Sequence, residues 1–199
     1  MTTLTPPDRK QKLIEAAIHL IRERGYTGTT VDLICAEAGV TKGSFFHYFT
    51  SKEDIGEAAL NAWMGRWFQG LDSMKFEEIQ DPLDRVNALF DLMTMAYLHP
   101  DTLNGCLVGT VAQELAPVNR RLGDICERHL NSWLEHTTKL LEDAKRARAT
   151  TRDFDPRSLA MHMMSIVQGS LLVAKTMRDS DIAANSIAHS RAYVNSFFV

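Results

Sequence analysis

The sequence predicts an all-α protein with an N-terminal three-helix head built around a helix-turn-helix. A larger all-helical domain follows it. Three observations carry that expectation. Apolar residues recur at helical spacing along nearly the whole chain, strand-like alternation is almost absent, and Gly, Pro, Asp, Ser and Thr fall where helices must stop and start.

The first helix is expected from Asp8, a good cap, to about Arg24, with Leu13, Ala16, Ala17, Leu20 and Ile21 on one face. Gly25 ends it and Tyr26 packs back. Residues 29–52 then read as two short helices around a tight turn. Val31, Ile34, Cys35 and Ala38 give the first an apolar face, and Gly39 supplies a residue able to end it in a left-handed conformation. Thr41 is a good N-cap for a second helix beginning at Lys42. In such a pair the second helix can lie in a DNA major groove.

Ser51 caps a fourth helix, with Asp54 at the capping-box position, and the pattern fades near Gly70. Asp81-Pro82 opens a helix to about Leu98, which His99-Pro100 breaks. A short helix is expected from Asn104 or Gly105 to Leu115, a long one from Pro117 to about Arg148, and another from Asp155-Pro156 to about Arg178. Asp181 caps a last helix ending at Phe197-Phe198, and residues 145–154 form a charged connection. The head is placed at 1–54, with the fourth helix, 52–70, as connector, and the larger helical domain at 71–199.

At 199 residues, 45% hydrophobic and 24% charged, the composition is that of a folded globular chain and excludes disorder. No apolar run approaches the roughly 20 residues that cross a bilayer. The start, Met1-Thr2-Thr3-Leu4-Thr5-Pro6-Pro7, lacks the pattern of a signal peptide. A cytoplasmic protein with no membrane contact is expected. Cys35, Cys106 and Cys126 are widely spaced, and the histidines are scattered, so thiols are expected rather than disulfides, with no metal and no cofactor.

The net charge of −3 does not advertise nucleic-acid binding. Residues 1–54 hold seven Lys/Arg and seven Asp/Glu, so the head is neutral. A strong nonspecific DNA binder is disfavoured, since the phosphate contribution grows with accumulated positive charge. Local contacts from Lys42, Lys52 and helix N-termini remain open.

Arg24-Gly25-Tyr26, Thr29-Thr30-Val31, Ala38-Gly39-Val40, Lys42-Gly43-Ser44-Phe45-Phe46-His47-Tyr48-Phe49 and Ser51-Lys52-Glu53 together resemble the TetR family of one-component bacterial transcription regulators. The resemblance covers about residues 8–60, and the helical remainder matches in layout. Asn104-Gly105-Cys106-Leu107, with Ala112-Gln113-Glu114-Leu115 after it, resembles a subgroup whose sixth helix begins with Gly-Cys. The resemblance implies a homodimer with two helix-turn-helix heads. It also implies a palindromic double-stranded operator and a small-molecule effector that binds in each C-terminal domain and releases the repressor.

It further implies the DNA-contacting residues. Lys42 and Ser44 sit where base edges and nearby phosphates are touched, Gly43 allows close approach, and His47 and Tyr48 match phosphate-contacting positions. Phe46 can touch a thymine methyl, although the family often carries a tyrosine there. Thr29, Thr30 and Lys52 are expected backbone clamps. Thr41, the cap of the recognition helix, completes the set. Phe45 and Phe49, four apart, are expected in the core.

Phe90, Met93, Tyr97, Cys106, Trp133, Met164 and Gln168 are the candidate ligand contacts. The adaptable walls that methionine and aromatic side chains provide are the reason, and Met95, Met161, Met163 and Met177 share that character, with His129 and Glu114 as sparse polar groups. Cys106, near a helix N-terminus, is read either as an electrophile- or redox-sensing thiol or as a packing residue. Cys35 and Cys126 are read as core. Apolar surface on the last two helices, with Gly169-Ser170, marks residues about 156–198 as the dimer interface.

No enzymatic activity is expected. The rival class, a cysteine-dependent enzyme using Cys106, finds no GxSxG, phosphate loop or metal motif to support it. A transcriptional activator remains the alternative to a repressor.

Overall fold

The ends of the helices are where this sequence exerts its local control, and the computed structural model describes them for residues 6–97 and 103–199. The helices are α1 (Pro6–Arg24), α2 (Val31–Ala38), α3 (Lys42–Tyr48), α4 (Lys52–Ser73), α5 (Pro82–Tyr97), α6 (Leu107–Leu115), α7 (Arg120–Ala147), α8 (Pro156–Met177) and α9 (Asp181–Asn195). A 3-10 turn lies at Phe76–Glu78. Among the described residues β pairing is confined to one isolated antiparallel bridge, Thr150 with Phe198. The fold is all-α, with an N-terminal helix-turn-helix and a helical C-terminal portion.

Several boundaries differ from the sequence reading, each for a physical reason. α1 already includes Pro6 and Pro7, because a proline in the first turn lacks only an amide that would have no intrahelical partner. The Asp8 side chain lies outside the described residues. α6 begins at Leu107 with Cys106 itself at the N-cap, since Gly105 turns the chain at φ 76°. α7 begins at Arg120 rather than Pro117. Pro117 sits in the turn after α6, and the Asn119 carboxamide accepts the Leu122 N–H at 3.1 Å. At its other end α7 stops at Ala147, so Lys145 and Arg146 belong to the helix. α9 stops at Asn195, short of Phe197-Phe198. The proposed break at His99-Pro100 lies outside the described residues.

The described chain forms two compact units. The first comprises the chain up to Arg66 together with Cys106–His129, and the second comprises Trp67–Gly105 with Leu130–Val199. In the first, α1 packs on α2, α3 and α6. Leu13, Ala17 and Ile21 of α1, Ile34 of α2 and Phe45 of α3 are all at most 1% exposed. α6 thus shares a core with the helix-turn-helix, which the sequence pattern did not reveal. In the second unit α9 packs on α5 and α8. Arg191 joins α9 to α5 through Asn87 (2.9 Å) and Asp91 (2.6 Å), and the Phe154 ring meets Phe197 at a tilt and Phe198 edge to face.

α8 shows how one side chain starts a helix. Asp155 accepts the Arg157 and Ser158 amides at 3.3 and 3.0 Å, and Pro156 follows at the first helical position. Replacing Asp155 with Ala removes both bonds, and the expected loss is about 1 kcal/mol. A scanning calorimetry experiment should show a melting temperature lower by about 2–4 °C for a chain of this size.

Candidate nucleic-acid interface

Two capped helices and the turn between them set the geometry of the site. Thr30 caps α2, its hydroxyl accepting the Leu33 N–H at 3.2 Å. Gly39 ends α2 at φ 65°, where an L side chain is disfavoured, and its N–H bonds back to the Ala36 carbonyl. Thr41 caps α3 in the same way, accepting from Ser44 N at 3.2 Å.

α3 divides its side chains between core and solvent. Phe45 is fully buried and Phe49, just after the helix, nearly so, their rings 5.7 Å apart. They hold one face of the helix in the core, as expected. Lys42, Gly43, Phe46 and His47 are exposed, and Ser44 and Tyr48 are half-buried. Phe46 is 55% exposed, an unusual position for an aromatic ring on an otherwise polar face. His47 and Tyr48 sit edge to face, 4.7 Å between centroids. Lys42 is engaged by Asp32 of α2, with Nζ 2.7 and 3.0 Å from its two carboxylate oxygens. Both groups are exposed, so this pair is weak and can exchange for a phosphate.

Lys52 opens α4 with its ammonium 4.2 Å from the centre of the Tyr26 ring. Burial pushes its pKa down, and the negative charge of Glu114 pulls it up. Ser51 caps the same helix through the Asp54 N–H at 3.1 Å. Asp54 turns back to Thr50, whose N–H it accepts at 3.0 Å, one residue before the partner that a standard capping box uses. Hydrogen bonds from Thr50 and then Arg121 hold the Asp54 carboxyl at about 2.

Thr29 departs from its expected place. It is 0% exposed, and its hydroxyl donates to the Gly25 carbonyl at 2.7 Å. Its polar side chain is therefore spent on closing the α1–α2 loop, and the residue serves that loop instead of a phosphate. The remaining expected contacts, Thr30, Thr41, Lys42, Gly43, Ser44, Phe46, His47, Tyr48 and Lys52, belong to the start of α2, to α3 with its cap, and to the start of α4, all in the first compact unit.

The candidate ligand contacts fall differently. Phe90, Met93, Trp133, Met164 and Gln168 lie in the second compact unit, and Cys106 lies in the first. Phe90 and Met93 are buried, while Trp133, Met164 and Gln168 are half-buried. The Tyr97 side chain lies outside the described residues. Of the further methionines, Met163 is buried, and Met95, Met161 and Met177 are exposed. Cys106, half-buried, makes no side-chain capping bond. Cys35 and Cys126 are buried, and burial raises both thiols, Cys126 to about 11. His129 is bound to Asn61 at 3.0 Å, and both oxygens of Glu114 are bound to backbone amides of the head. Neither is a free polar group for a ligand. The role of Glu114 left no trace in the sequence pattern, because its partners lie 87 and 88 residues away.

Comparison with known proteins agrees with this architecture. Residues 13–59 match the family described as bacterial regulatory proteins, tetR family, and residues 82–190 match the tetracyclin repressor-like C-terminal domain. Transcriptional regulator AcuR of Cereibacter sphaeroides is 30% identical over 165 residues, 83% of this chain and 75% of that protein. The HTH-type transcriptional repressor DhaR of a Mycobacterium species is 28% identical over 174 residues, 86% of this chain and 85% of that one. The crystal structure of regulatory protein TetR from Rhodobacter sphaeroides superposes with a TM-score of 0.81 at 27% identity, covering 95% of this chain and 98% of the other. The chain belongs to the TetR family. It is a DNA-binding transcription regulator of that family, whose members are generally ligand-responsive repressors.

Proposed function

We propose that the protein is a homodimeric repressor that binds a palindromic operator through α3 and leaves it when a small molecule binds the C-terminal helices. It acts in the cytoplasm, by binding and not by catalysis. The observation that carries this reading is the solvent face of α3. A capped helix exposes Lys42, Phe46 and His47, with Ser44 and Tyr48 half-buried beside them and a largely exposed aromatic ring among them. A ring left in water gives up burial energy that a thymine methyl in the major groove can return. Lys42, His47, Tyr48 and Lys52, with the caps Thr30 and Thr41, provide phosphate contacts, and Ser44 reads a base edge. Gly43 leaves space for close approach, since only the Thr41 hydroxyl, at 3.9 Å, lies near its Cβ position.

Dimerisation is assigned to α8 and α9. Met161, Leu172, Val173 and Met177 of α8 and Tyr193 of α9 are 43–67% exposed. Gly169 lies on the same side of α8, and a Cβ there would meet nothing within 4 Å. An apolar helix face with a glycine in its middle suits close packing against a second copy. The effector is assigned to Phe90, Met93, Tyr97, Trp133, Met164 and Gln168 as a small, largely apolar molecule. The name of DhaR, a repressor, favours repression over activation.

Cys106 supports a second reading, in which an electrophile or oxidant modifies its half-buried thiol. Release of DNA by a mild alkylating agent that persists in Cys106→Ser excludes that reading and leaves noncovalent binding.

The function is tested by footprinting the DNA around the protein's own gene, with and without candidate small molecules. A protected inverted repeat that one of them abolishes is expected. Ser44→Ala should relax preference at one or two base pairs. Lys52→Ala should weaken all sequences alike and lower the salt slope by about 1, since one phosphate contact is lost. Binding that stays equal on operator and random DNA would contradict a sequence-reading role.

A further inference from the structure

The last turn of α6 reaches the exit of α1 through one side chain. Glu114 accepts the Tyr26 N–H at Oε1, 2.9 Å, and the Thr27 N–H at Oε2, 2.8 Å. Hydrogen bonds to an ionised carboxylate are stronger than neutral ones, and here both oxygens are committed. The amides they hold directly follow Gly25, which turns the chain at φ 85°. A Cβ at Gly25 would lie 2.3 Å from Glu114 Oε1. Glycine at this position therefore serves twice, as the left-handed residue that ends α1 and as the gap into which the carboxylate fits.

Tyr26 carries the constraint onward. The face of its ring supports Lys52 Nζ at 4.2 Å. The ring also lies so close to α4 that a Cβ at Gly56 would be 2.9 Å from it. On the other side of the same loop, the Thr29 hydroxyl closes onto Gly25 and Thr30 caps α2. The segment just beyond α6 adds fastenings to α4. Asn119 bonds Glu53, and Arg121 bonds Asp54 at 2.9 Å and Glu57 at 2.8 Å.

We propose that Glu114 is a positioning residue for operator binding. Its carboxylate fixes the α1–α2 loop and, through Tyr26, holds Lys52 and the start of α4 in the DNA-contacting arrangement. The proposal rests on the DNA-binding reading of the head. Without the carboxylate the competent arrangement is one of several, and apparent affinity falls in proportion to its population.

The test uses the full-length protein and a duplex selected from random DNA. Glu114→Gln keeps the length and helix propensity of the side chain but turns one acceptor into a donor facing an N–H. Operator dissociation constants are measured for wild type, Glu114→Gln, Lys52→Ala and the double variant. In parallel, hydrogen exchange is measured at the Tyr26 and Thr27 amides.

Glu114→Gln should weaken operator binding about 10-fold. In the Lys52→Ala background Glu114→Gln should cost clearly less than about 10-fold, because the part of its effect that runs through Lys52 is already lost. The two amides should be protected in wild type and should exchange faster in Glu114→Gln. The proposal is overturned if Glu114→Gln binds like wild type, or if the two substitutions add fully. If Glu114→Gln fails to fold, the wild-type exchange decides: protected amides support the clamp, and free exchange removes it. A wild type that selects no DNA defeats the DNA-binding reading itself, and this proposal with it. A wild type that binds while Glu114→Gln binds equally defeats this proposal alone.

Discussion

Gly169→Glu should convert the dimer to monomers while leaving each chain folded. In a single chain nothing lies within 4 Å of the Cβ position, so the added side chain has open space. Glutamate is also the better helix former, by roughly 0.5–1 kcal/mol, so α8 itself should not suffer. The damage arises only where a second copy covers this face. There an unpaired carboxylate would be buried against Leu172, Val173 and their counterparts, at a cost of several kcal/mol. At about 1.4 kcal/mol per tenfold, the dimer dissociation constant should rise 100-fold or more. Operator binding should fall with it, since a single head meets one half-site only. Sedimentation velocity reads the mass, and thermal melting checks the fold. A variant that remains dimeric and binds normally would move the interface away from α8.

Phe45→Ala should be the most damaging substitution in the head. The ring is 0% exposed and touches both Phe46, centroids 5.2 Å apart, and Phe49. Removing it from a seven-residue helix takes away the main anchor of α3. Truncations of this kind cost about 3–5 kcal/mol, a large fraction of the stability of a typical domain. Sequence-specific binding should be lost, and the melting transition should move down by several degrees or acquire an early phase. Phe46→Ala is the contrast. That ring is 55% exposed, so stability should change little while preference for thymine at one position weakens.

The helix-turn-helix was legible because its signals are local. Gly39, Thr41 and the i, i+4 pair Phe45/Phe49 each act within a few residues, and each occupies the expected place. Asp155-Pro156 marked α8 for the same reason. Where two local signals competed, the reading slipped. Pro117 looked like a helix opener, but Asn119 provides the cap, and Cys106 replaced Asn104 at the start of α6 once Gly105 turned the chain.

Long-range partnerships left no pattern to read. Thr29 looked like a polar residue free for a phosphate, yet it is bound to Gly25 inside the loop. Glu114 looked like a polar spot in a ligand pocket, yet it holds Tyr26 and Thr27. Periodicity reports which face of a helix is apolar. It does not report which backbone amide a distant carboxylate will find.

The most direct test of the central claim is a selection from random-sequence DNA with the purified full-length protein, followed by titration of the enriched duplex against salt. The expected result is an inverted repeat whose half-sites lie about 34 Å apart, or a multiple of that, bound by one dimer. Binding to it should exceed binding to random DNA by at least about 10³-fold. Because the head carries no net positive charge, much of that preference should survive added salt. Recovery of no common sequence, or binding that vanishes equally for all DNA as salt rises, would contradict it.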